Sequence, residues 1–420
     1  MKEKKKILVI ADSPLVPSGV GTQTKYMIEA LVKTGEYQFF CLAGAIKHAD
    51  YRLQRVEPYG TDWLIKPVDG YGNPQIIRQI LRDYRPDILW FMTDPRFYIW
   101  LWEMENEIRA NVPMVYYHVW DNFPIPKYNK KYYESNDVIC TISKVTDEIV
   151  KTLAPNVISK RIPHTVDTEI FKNNKNTEAV KKTRDMITGG KEKMVFFWNN
   201  RNARRKQSGS LIFWFKQFLD KVGHDKAMLL MHTAPKDPHG QDLNTIIKDL
   251  ELNTQNQVLL SIEKLPPHQL ANMYSASDCT INISDAEGFG LATLESLASE
   301  TPIIVNMTGG LQEQVTNGKD WFGIGIQPCS KAIIGTQEVP YIYEDRINGD
   351  EFVQKLIEFY NMTEEERAEM GKRGRQHVLD NYGIEQYNRL WKETMDEIVS
   401  NMGSWETRKG YQSWHFGEVK

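Results

Sequence analysis

Two glutamates, Glu287 and Glu295, flank a glycine-rich segment that reads Asp285-Ala-Glu-Gly-Phe-Gly-Leu-Ala-Thr-Leu-Glu295. Glycines let a backbone approach a ligand closely, and the amides that open the following helical run attract a phosphate group. One carboxylate could accept hydrogen bonds from sugar hydroxyls and the other from ribose hydroxyls. The alternative is an ordinary capped helix with exposed acids, but strands predicted on both sides of the segment favour a ligand site.

A basic cluster, Asn199-Asn-Arg201-Asn-Ala-Arg204-Arg205-Lys206, follows the apolar run 194–198. Arg201 and Lys206 stand five positions apart after a strand end. A guanidinium fork and a lysine point charge are the groups that suit a diphosphate. They would neutralise charge that builds on a departing nucleoside diphosphate. The alternative is a solvated basic turn, and Arg204 and Arg205 need be nothing more.

Apolar runs at strand length position both clusters and divide the chain into two α/β halves. The first half opens with KKKILVIAD, a Gly- and Pro-rich loop at 13–21 and a helical stretch at 22–33, which is typical of a doubly wound domain. Later strands are predicted at 87–92, 114–118, 137–142 and 162–166, and, after a polar linker at 172–193, at 194–198, 227–232, 257–261, 279–283 and 302–306. Because ligands bind at the carboxyl ends of such strands, we expect an α/β protein with two Rossmann-like domains facing across a cleft.

Three segments are predicted from this pattern. We expect residues 1–180 to form a first Rossmann-like domain and residues 181–385 to form a second one. Residues 386–420 form a C-terminal helix and tail that pack back on the first domain. Aromatic residues in the last twenty positions indicate that this tail docks on a surface.

Composition excludes several classes of protein. The chain has 420 residues, 41% of them apolar and 25% charged, which excludes a disordered, collagen-like or coiled-coil chain. Its four cysteines are scattered without a C-x-x-C pair, which argues against a disulfide scaffold or zinc site and fits a reducing compartment. No apolar run approaches the ~18 residues that a membrane helix needs. We therefore expect a cytoplasmic protein without membrane insertion.

Five motifs together resemble the retaining nucleotide-sugar glycosyltransferases of GT-B fold, the large family 4 class. The E-x7-E motif of that family stands here as Glu287 and Glu295, and its G-R-x4-K-G as Asn200-Arg201-x4-Lys206-Gln207, with both glycines replaced. The remaining motifs are Gly19-Val-Gly21 for the first-domain G-G loop, 162–171 (IPHTVDTEIF) for I-P-N-G-V-D-x3-F, and 306–313 (NMTGGLQE) for T-x-x-G-G-x-x-E. Several stretches look closest to enzymes of this class carried by large tailed bacteriophages.

The resemblance places the acceptor on the domain 1–180 and the nucleotide-sugar donor on the domain 181–385, and it assigns roles to individual residues. It implies that Arg201 and Lys206 hold the donor diphosphate, that Glu287 lies against the donor sugar, and that Glu295 binds ribose. It also implies that the amides of Phe289, Gly290 and Leu291 face sugar and phosphate, and that Gly19 and Gly21 close on the diphosphate. The implied reaction retains the anomeric configuration and needs no metal or cofactor, and no D-x-D metal motif occurs in the chain.

The acceptor is less determined by the sequence. His118, at a predicted strand end, resembles the acceptor-side histidine of the family; Asp121 and His164 are weaker candidates, and a core histidine is the alternative for each imidazole. Lys130 and Lys131 lie among aromatic residues in PKYNKKYY, in a half (1–190) with net charge +4, against −7 for the rest. Such interleaving suits nucleic acid, with a solvated loop as the alternative, and the resemblance to bacteriophage enzymes makes DNA with hydroxymethylated cytosine one hypothesis for the acceptor.

Other readings stay open at this point. A saccharide, lipid or protein acceptor would leave no sequence mark that separates it from DNA. Nucleotide-sugar epimerases share the two-sheet fold but lack the combination of Arg201, Lys206 and E-x7-E. A non-catalytic nucleotide-sugar binding module is a further alternative. A dinucleotide-dependent dehydrogenase is disfavoured, because the first loop is not G-x-G-x-x-G.

Overall fold

A computed structural model of the chain describes residues 3–120 and 123–414. Within these residues the chain divides into two compact units. The first unit takes in the chain up to His164, the short segment Gly335–Pro340 and the chain from Glu385 onward. The second unit consists of Thr165–Ile334 and Tyr341–Ile384.

An eight-stranded sheet forms the centre of the first unit. Its strands are β1 (Lys5–Asp12), β2 (Tyr37–Gly44), β3 (Gln54–Val56), β4 (Gly60–Pro67), β5 (Ile88–Thr93), β6 (Met114–His118), β7 (Val138–Thr141) and β8 (Ile158–Arg161). They lie in the order β3-β4-β2-β1-β5-β6-β7-β8, and every pairing is parallel except β3 with β4. The central strands are continuous apolar runs that are buried, as expected for parallel strands covered on both faces.

Six helices connect these strands: α1 (Gly19–Val32), α2 (Pro74–Asp83), α3 (Ile99–Trp102), α4 (Glu105–Arg109), α5 (Lys130–Glu134) and α6 (Lys144–Leu153). Helix α1 begins where the Ser18 hydroxyl accepts a bond from the Gly21 amide, and α2 begins at Asn73 with Pro74 in its first turn. Both starts follow the usual chemistry of helix N-termini.

A six-stranded parallel sheet forms the centre of the second unit. The strands are β9 (Met194–Asn199), β10 (Ala227–His232), β11 (Val258–Ser261), β12 (Cys279–Asn282), β13 (Ile303–Asn306) and β14 (Gly323–Ile326), in the order β11-β10-β9-β12-β13-β14. The strands β15 (Ser330–Ile334) and β16 (Ile342–Arg346) form a separate antiparallel hairpin. In the sheet, β9 lies between β10 and β12, where the strand order reverses. Ligands bind at such a switch point in open α/β sheets.

Eight helices surround this second sheet: α7 (Glu178–Thr188), α8 (Ser208–Val222), α9 (Leu243–Asp249), α10 (Pro267–Ala276), α11 (Leu291–Ala298), α12 (Leu311–Val315), α13 (Gly349–Asn361) and α14 (Glu364–Tyr382). Phe215 and Phe218 of α8 pack edge-to-face on Phe196 of β9, with ring centroids 5.8 and 5.6 Å apart. This aromatic contact fixes α8 against the strand that leads into the basic cluster.

Two predictions about local structure are wrong. Residues 162–166 are not a strand; the last strand of the first unit is β8, an edge strand (ISKR) whose residues are all exposed or half-exposed and carry little apolar signal. The predicted linker at 172–193 contains helix α7, whose Val180 and Ile187 are buried. Most of the surface of α7 is polar, so its sequence resembles that of a linker. Its tertiary packing is what stabilises it as a helix.

The helix α15 (Ile384–Met402) and the tail that follows it pack within the first unit. Trp391 is fully buried and lies edge-on against Trp90 and Tyr117, at centroid distances of 5.9 and 5.0 Å. Beyond the helix, the Trp405 indole donates to the carbonyl of Pro86 at 2.9 Å. Aromatic contacts therefore dock the described part of the tail on the first unit.

Candidate functional site

The carboxyl ends of β9, β12 and β13 lie side by side in the second sheet, so the loops that follow them meet at one edge. These loops carry the basic cluster after β9, the segment 285–290 after β12, and the turn Thr308-Gly-Gly310 after β13. The sequence motifs that lie 80 to 100 residues apart are thereby brought together in one place.

Lys206 and Glu287 form an ion pair at this edge, with side chains only 9% and 13% exposed. The Asn282 amide adds a long bond of 3.4 Å to the same Glu287 oxygen. Burial raises the pKa of Glu287, but the charges of Lys206 and Arg205 outweigh it, and the pKa lies below its ordinary value. Glu287 is therefore an ionised carboxylate at neutral pH, next to a lysine that is almost out of solvent.

The chain segment 205–207 is tied to the segment 285–286 by three bonds. The Asp285 amide donates to the Arg205 carbonyl at 2.8 Å, and the Arg205 guanidinium donates to the Ala286 carbonyl at 2.6 Å. The Gln207 side chain donates to Asp285 at 2.5 Å. Gln207 itself has φ +58°, a left-handed conformation that favours glycine. The hydrogen bond from its side chain to Asp285 explains why glutamine rather than glycine occupies this position.

The hairpin β15–β16 braces the same two loops. Glu344 of β16 is fully buried and accepts from both terminal nitrogens of Arg204, at 2.9 and 2.5 Å. Arg346 bonds Glu344 at 2.5 Å and Asp285 at 3.0 Å. Burial raises the pKa of Asp285 to about 6, although Gln207 and Arg346 act to lower it. This alternating chain of charges holds both sides of the Lys206–Glu287 pair.

Close packing requires glycine at two positions here, Gly290 in the E-x7-E segment and Gly310 in the turn after β13. Gly290 has φ +93°, and a Cβ there would lie 2.6 Å from a methyl group of Leu311. A Cβ on Gly310 would lie 2.6 Å from the Gly288 carbonyl oxygen. The Gln314 amide donates to the carbonyls of Phe289 and Gly290 at 2.7 and 3.1 Å. The turn 308–314 therefore fixes the loop from which α11 begins.

Helix α11 starts at Leu291, and its first amides have no partner within the helix. They carry the partial positive charge of the helix N-terminus, which suits a phosphate. The Phe289 ring is only 3% exposed and packs edge-on against Tyr382 at 5.8 Å. At this position the side chain packs inside the unit and stabilises the loop.

Glu295 lies on α11, one turn into the helix, and is half-buried. Its carboxylate accepts a bond from the Tyr274 hydroxyl at 2.7 Å, and that hydroxyl accepts from the Asn199 amide at 2.8 Å. Burial raises the pKa of Glu295 to about 7, with the Tyr274 bond acting against it. The pKa of Glu287 is thus below the ordinary value of a glutamate, and the pKa of Glu295 is above it.

If Glu295 accepts bonds from the donor ribose, as the resemblance implies, the replacement Glu295→Gln should change the pH profile of donor use. Ionised Glu295 can accept two hydroxyl bonds and the protonated acid only one, so kcat/KM for the donor should fall as pH drops below about 7 in the wild type. In Glu295→Gln that fall should disappear, with kcat/KM at pH 8 reduced by about tenfold. Steady-state kinetics from pH 5.5 to 8.5 measure this. An unchanged acid limb in the variant would contradict the assignment.

The same replacement should change the stability of the protein, and the direction of this change depends on pH. A carboxyl group whose pKa is raised by folding favours the folded state below its unfolded pKa, and this contribution is lost as pH rises through about 7. Thermal unfolding should therefore show Glu295→Gln to be more stable than wild type at pH 8, with the advantage shrinking toward pH 5.

Arg201 lies in the loop after β9 and forms an ion pair with Asp237. Its Nε and one Nη donate to the two oxygens of Asp237 at 2.7 and 3.0 Å. The Arg201 side chain is 61% exposed, whereas that of Asp237 is 12% exposed. The bonds from Arg201 and from the His239 amide lower the pKa of Asp237 to about 2. Arg201 is therefore a fixed cation at the surface of the same sheet edge.

The glycine loop of the first unit opens α1. The Gly21 amide donates to the Ser18 hydroxyl at 2.9 Å, and that hydroxyl donates to Asp12 at 2.8 Å. A Cβ on Gly21 would lie 2.7 Å from the carbonyl oxygens of Ser13 and Val16, so no larger residue fits. Gly19 is exposed at the first position of the helix. The Gly21 amide is thus bonded within the loop.

The two candidate histidines lie inside the first unit. His118 has no exposed surface; its Nδ1 contacts the Tyr116 hydroxyl at 3.1 Å and its Nε2 the Tyr133 hydroxyl at 2.8 Å. His164 is 5% exposed and contacts the Tyr117 hydroxyl at 2.8 Å. Burial lowers the pKa of each histidine to about 3. Both are neutral imidazoles within the packed interior, and His118 has no surface that could contact a sugar.

The lysines of PKYNKKYY are exposed, but its aromatic rings are not free to stack. Lys130 pairs with Glu134 at 3.6 Å, and the Lys131 ammonium lies 4.8 Å from the Tyr132 ring centroid. Tyr132 stacks on Trp102, with centroids 5.1 Å apart, and Tyr133 is fully buried. Asp121, the remaining acceptor-side candidate, lies outside the described residues.

The part of the chain that the structure describes contains neither a metal-binding cluster nor a membrane-spanning helix. Within 3–120 and 123–414, no group of three or more histidine, cysteine, aspartate or glutamate side chains is arranged to hold a metal ion. In the same ranges no helix is both long enough and apolar enough to cross a bilayer.

Several residues of this site were not predicted from the sequence. Asp237, Tyr274 and Glu344 each bond a residue of the predicted site, from positions 21 to 140 residues away in the chain. Each is a single polar residue in an unremarkable setting, so the sequence carried no signal for it. The sequence indicates a role for Asp285 only through its position two residues before Glu287, at the start of the glycine-rich segment.

Comparison with known proteins identifies the fold. Residues 189–377 match the model of the family described as "Glycosyl transferases group 1". A D-inositol 3-phosphate glycosyltransferase of Corynebacterium urealyticum is 43% identical over 54 residues, which is 13% of either chain. A trehalose synthase of Pyrococcus furiosus is 26% identical over 113 residues, or 26% of either chain. The matches thus span only about an eighth to a quarter of these curated relatives.

Solved structures match over nearly the whole chain. Sucrose-phosphate synthase from Thermosynechococcus elongatus superposes with a TM-score of 0.74 at 15% identity, covering 94% of this chain and all of that one. Anabaena Alr3699/HepE, solved with UDP and glucose, gives a TM-score of 0.67 at 15% identity, with 94% and 100% covered. The predicted α/β class with two Rossmann-like domains is confirmed. The chain has the GT-B fold of glycosyltransferases, and its residues 189–377 match the group 1 glycosyl transferases.

Proposed function

We propose that the protein is a retaining glycosyltransferase that moves a sugar from a nucleoside-diphosphate sugar to an acceptor hydroxyl. The observation that carries this proposal is the nearly buried Lys206–Glu287 pair, placed at the sheet edge beside the loop that opens α11. A lysine at that place matches the charge of a diphosphate, and a carboxylate beside it can bond sugar hydroxyls.

Each charged residue has a role in this proposal. Lys206 and Arg201 bind the diphosphate, and the first amides of α11 add hydrogen bonds to its oxygens. Glu287 bonds the transferred sugar, and Glu295 accepts from the ribose hydroxyls. The loops that carry them are tied by Arg204, Glu344 and Arg346, so the cations are in place before the donor arrives. Preorganised charges of this kind stabilise a leaving diphosphate in the transition state.

The proposed transfer takes place on one face of the sugar. The bond between the anomeric carbon and the phosphate oxygen breaks, giving a short-lived oxocarbenium ion held next to the diphosphate. The acceptor oxygen then bonds the anomeric carbon from the face that the diphosphate leaves, and its proton passes to the leaving phosphate oxygen. Glu287 is engaged by Lys206, which favours this route over one in which the carboxylate acts as a nucleophile.

A donor panel tests the proposal. Anabaena Alr3699/HepE was solved with UDP and glucose, so UDP-glucose is the first donor, followed by UDP-galactose, UDP-N-acetylglucosamine and GDP-mannose. Each is incubated with simple sugars and with DNA containing hydroxymethylcytosine, with and without EDTA, and products are read by mass spectrometry. We expect one donor to yield an α-linked product at equal rates with and without chelator. Epimerised donor without transfer would show an epimerase, and binding without turnover a binding module.

Hydroxymethylated DNA is the acceptor that the exposed lysines favour. Lys127, Lys130 and Lys131 are exposed and can contact phosphates, whereas Tyr132 and Tyr133 are engaged inside the unit. A DNA contact here would therefore be electrostatic, without base stacking. The double replacement Lys130→Ala and Lys131→Ala should weaken DNA use most at low salt, by a margin that shrinks as salt is raised, and should leave donor KM unchanged. Equal labelling of DNA by variant and wild type would remove this surface from the proposal.

A further inference from the structure

Asp237 is bonded to the exposed cation Arg201, and this contact leaves most of the guanidinium open. A guanidinium has five N–H groups in a rigid plane. Asp237 accepts from two of them, at Nε and one Nη2 hydrogen, so three remain, including both on Nη1. The contact therefore fixes the plane of the group without using the edge that a phosphate would need.

The loop that carries Asp237 is itself fixed to the loop that carries Arg201. They follow the adjacent parallel strands β10 and β9, with His232 opposite Asn199. The Arg204 amide donates to the His239 carbonyl at 2.8 Å, and the Asn202 side chain donates to the Gln241 carbonyl at 2.7 Å. A Cβ on Gly240 would lie 1.8 Å from the Asn202 carbonyl oxygen, so the two backbones are in direct contact.

The carboxylate of Asp237 is also fixed within its own loop. One oxygen accepts from the His239 amide at 2.8 Å, and the Gly240 amide donates to the Asp237 carbonyl at 2.9 Å. The aspartate is thus an anchored acceptor, whereas the arginine is a long, 61% exposed side chain that would otherwise sample many rotamers. An exposed ion pair contributes little to stability, so its rigidity calls for another explanation.

We propose that Asp237 is a positioning residue that orients the guanidinium of Arg201 toward the diphosphate of the donor. This inference rests on the proposed function, in which Arg201 binds that diphosphate. Holding the guanidinium in advance removes the entropy cost of ordering it when the donor binds. It also aims a fork-shaped donor at an oxyanion, which is the geometry that makes arginine–phosphate bonds strong.

Isothermal titration of nucleotides tests the inference. The probe is UDP, GDP or ADP, whichever binds the wild type most tightly, compared with the monophosphate of the same base. For Asp237→Asn we expect diphosphate affinity to fall by about tenfold and monophosphate affinity to stay within twofold. The melting temperature should change little. The matched control is Asp220→Asn, which breaks an exposed pair with Lys216 on α8 and should leave both affinities unchanged.

A double-mutant cycle makes the result specific to Arg201. In an Arg201→Ala background, Asp237→Asn should have no further effect on diphosphate affinity. Unchanged affinity in the single variant would overturn the inference, and so would tighter binding, because it would show that Asp237 competes with the ligand. If the wild type binds none of the three diphosphates, the proposed function itself fails, which separates the two outcomes.

Discussion

Replacing Lys206 by methionine should lower sugar transfer by about 10²-fold or more, because in the proposed function this residue supplies positive charge where the diphosphate leaves. The side chain is 9% exposed and paired with Glu287, so water cannot substitute for its charge. Methionine keeps the length of the side chain and removes only the ammonium group. Single-turnover kinetics with saturating donor measure the chemical step separately from donor binding.

A lysine outside the site provides the control for this replacement. Lys216 on α8 forms an exposed pair with Asp220 at 2.9 Å, and Lys216→Met should leave transfer unchanged. If Lys206→Met retained the wild-type rate while binding donor normally, the lysine would not stabilise the leaving group. The reaction would then have to depend on Arg201 and the α11 amides.

Replacing Glu287 by glutamine should have a comparable effect on the rate, about 10²-fold, and should also lower stability. The amide leaves the Lys206 ammonium without a carboxylate in a site that is almost closed to water. Breaking a buried pair on one side typically costs about 3–5 kcal/mol, and the upper part of that range applies only to full burial. Transfer assays and thermal unfolding of the same sample separate the two consequences.

The stability effect of Glu287→Gln has a defined pH dependence. The pKa of Glu287 is lowered by folding, so the ionised group stabilises the fold above its unfolded pKa. That contribution is lost as pH falls through the lower, folded pKa. The stability gap between wild type and variant should therefore be full at pH 7 and close in strong acid. The double variant Lys206→Met with Glu287→Gln should be more stable than Glu287→Gln alone, and the reverse order would contradict a functional pairing of the two charges.

The two α/β halves and the strands that lead into the site were predictable because their signal is local. Runs such as 194–198 and 279–283 are continuous apolar stretches, and each precedes a polar or glycine-rich loop. The edge strand β8 and helix α7 gave no such signal, since β8 has no buried residue and α7 buries only a narrow face. Their identity depends on what packs against them.

Residue types and spacing in the sequence determined which groups are available for chemistry: Lys206 next to a strand end, Glu287 and Glu295 around a glycine loop. Only the tertiary structure decided how these groups are used. In the folded chain Lys206 pairs with Glu287 and Arg201 pairs with Asp237. His118 lies in the interior with both ring nitrogens bonded. The physical reason is that charge state and exposure depend on neighbours contributed by distant parts of the chain. The contact between Arg204 and the hairpin residue Glu344, which lies 140 positions later in the chain, is of this kind, and the local sequence cannot encode it.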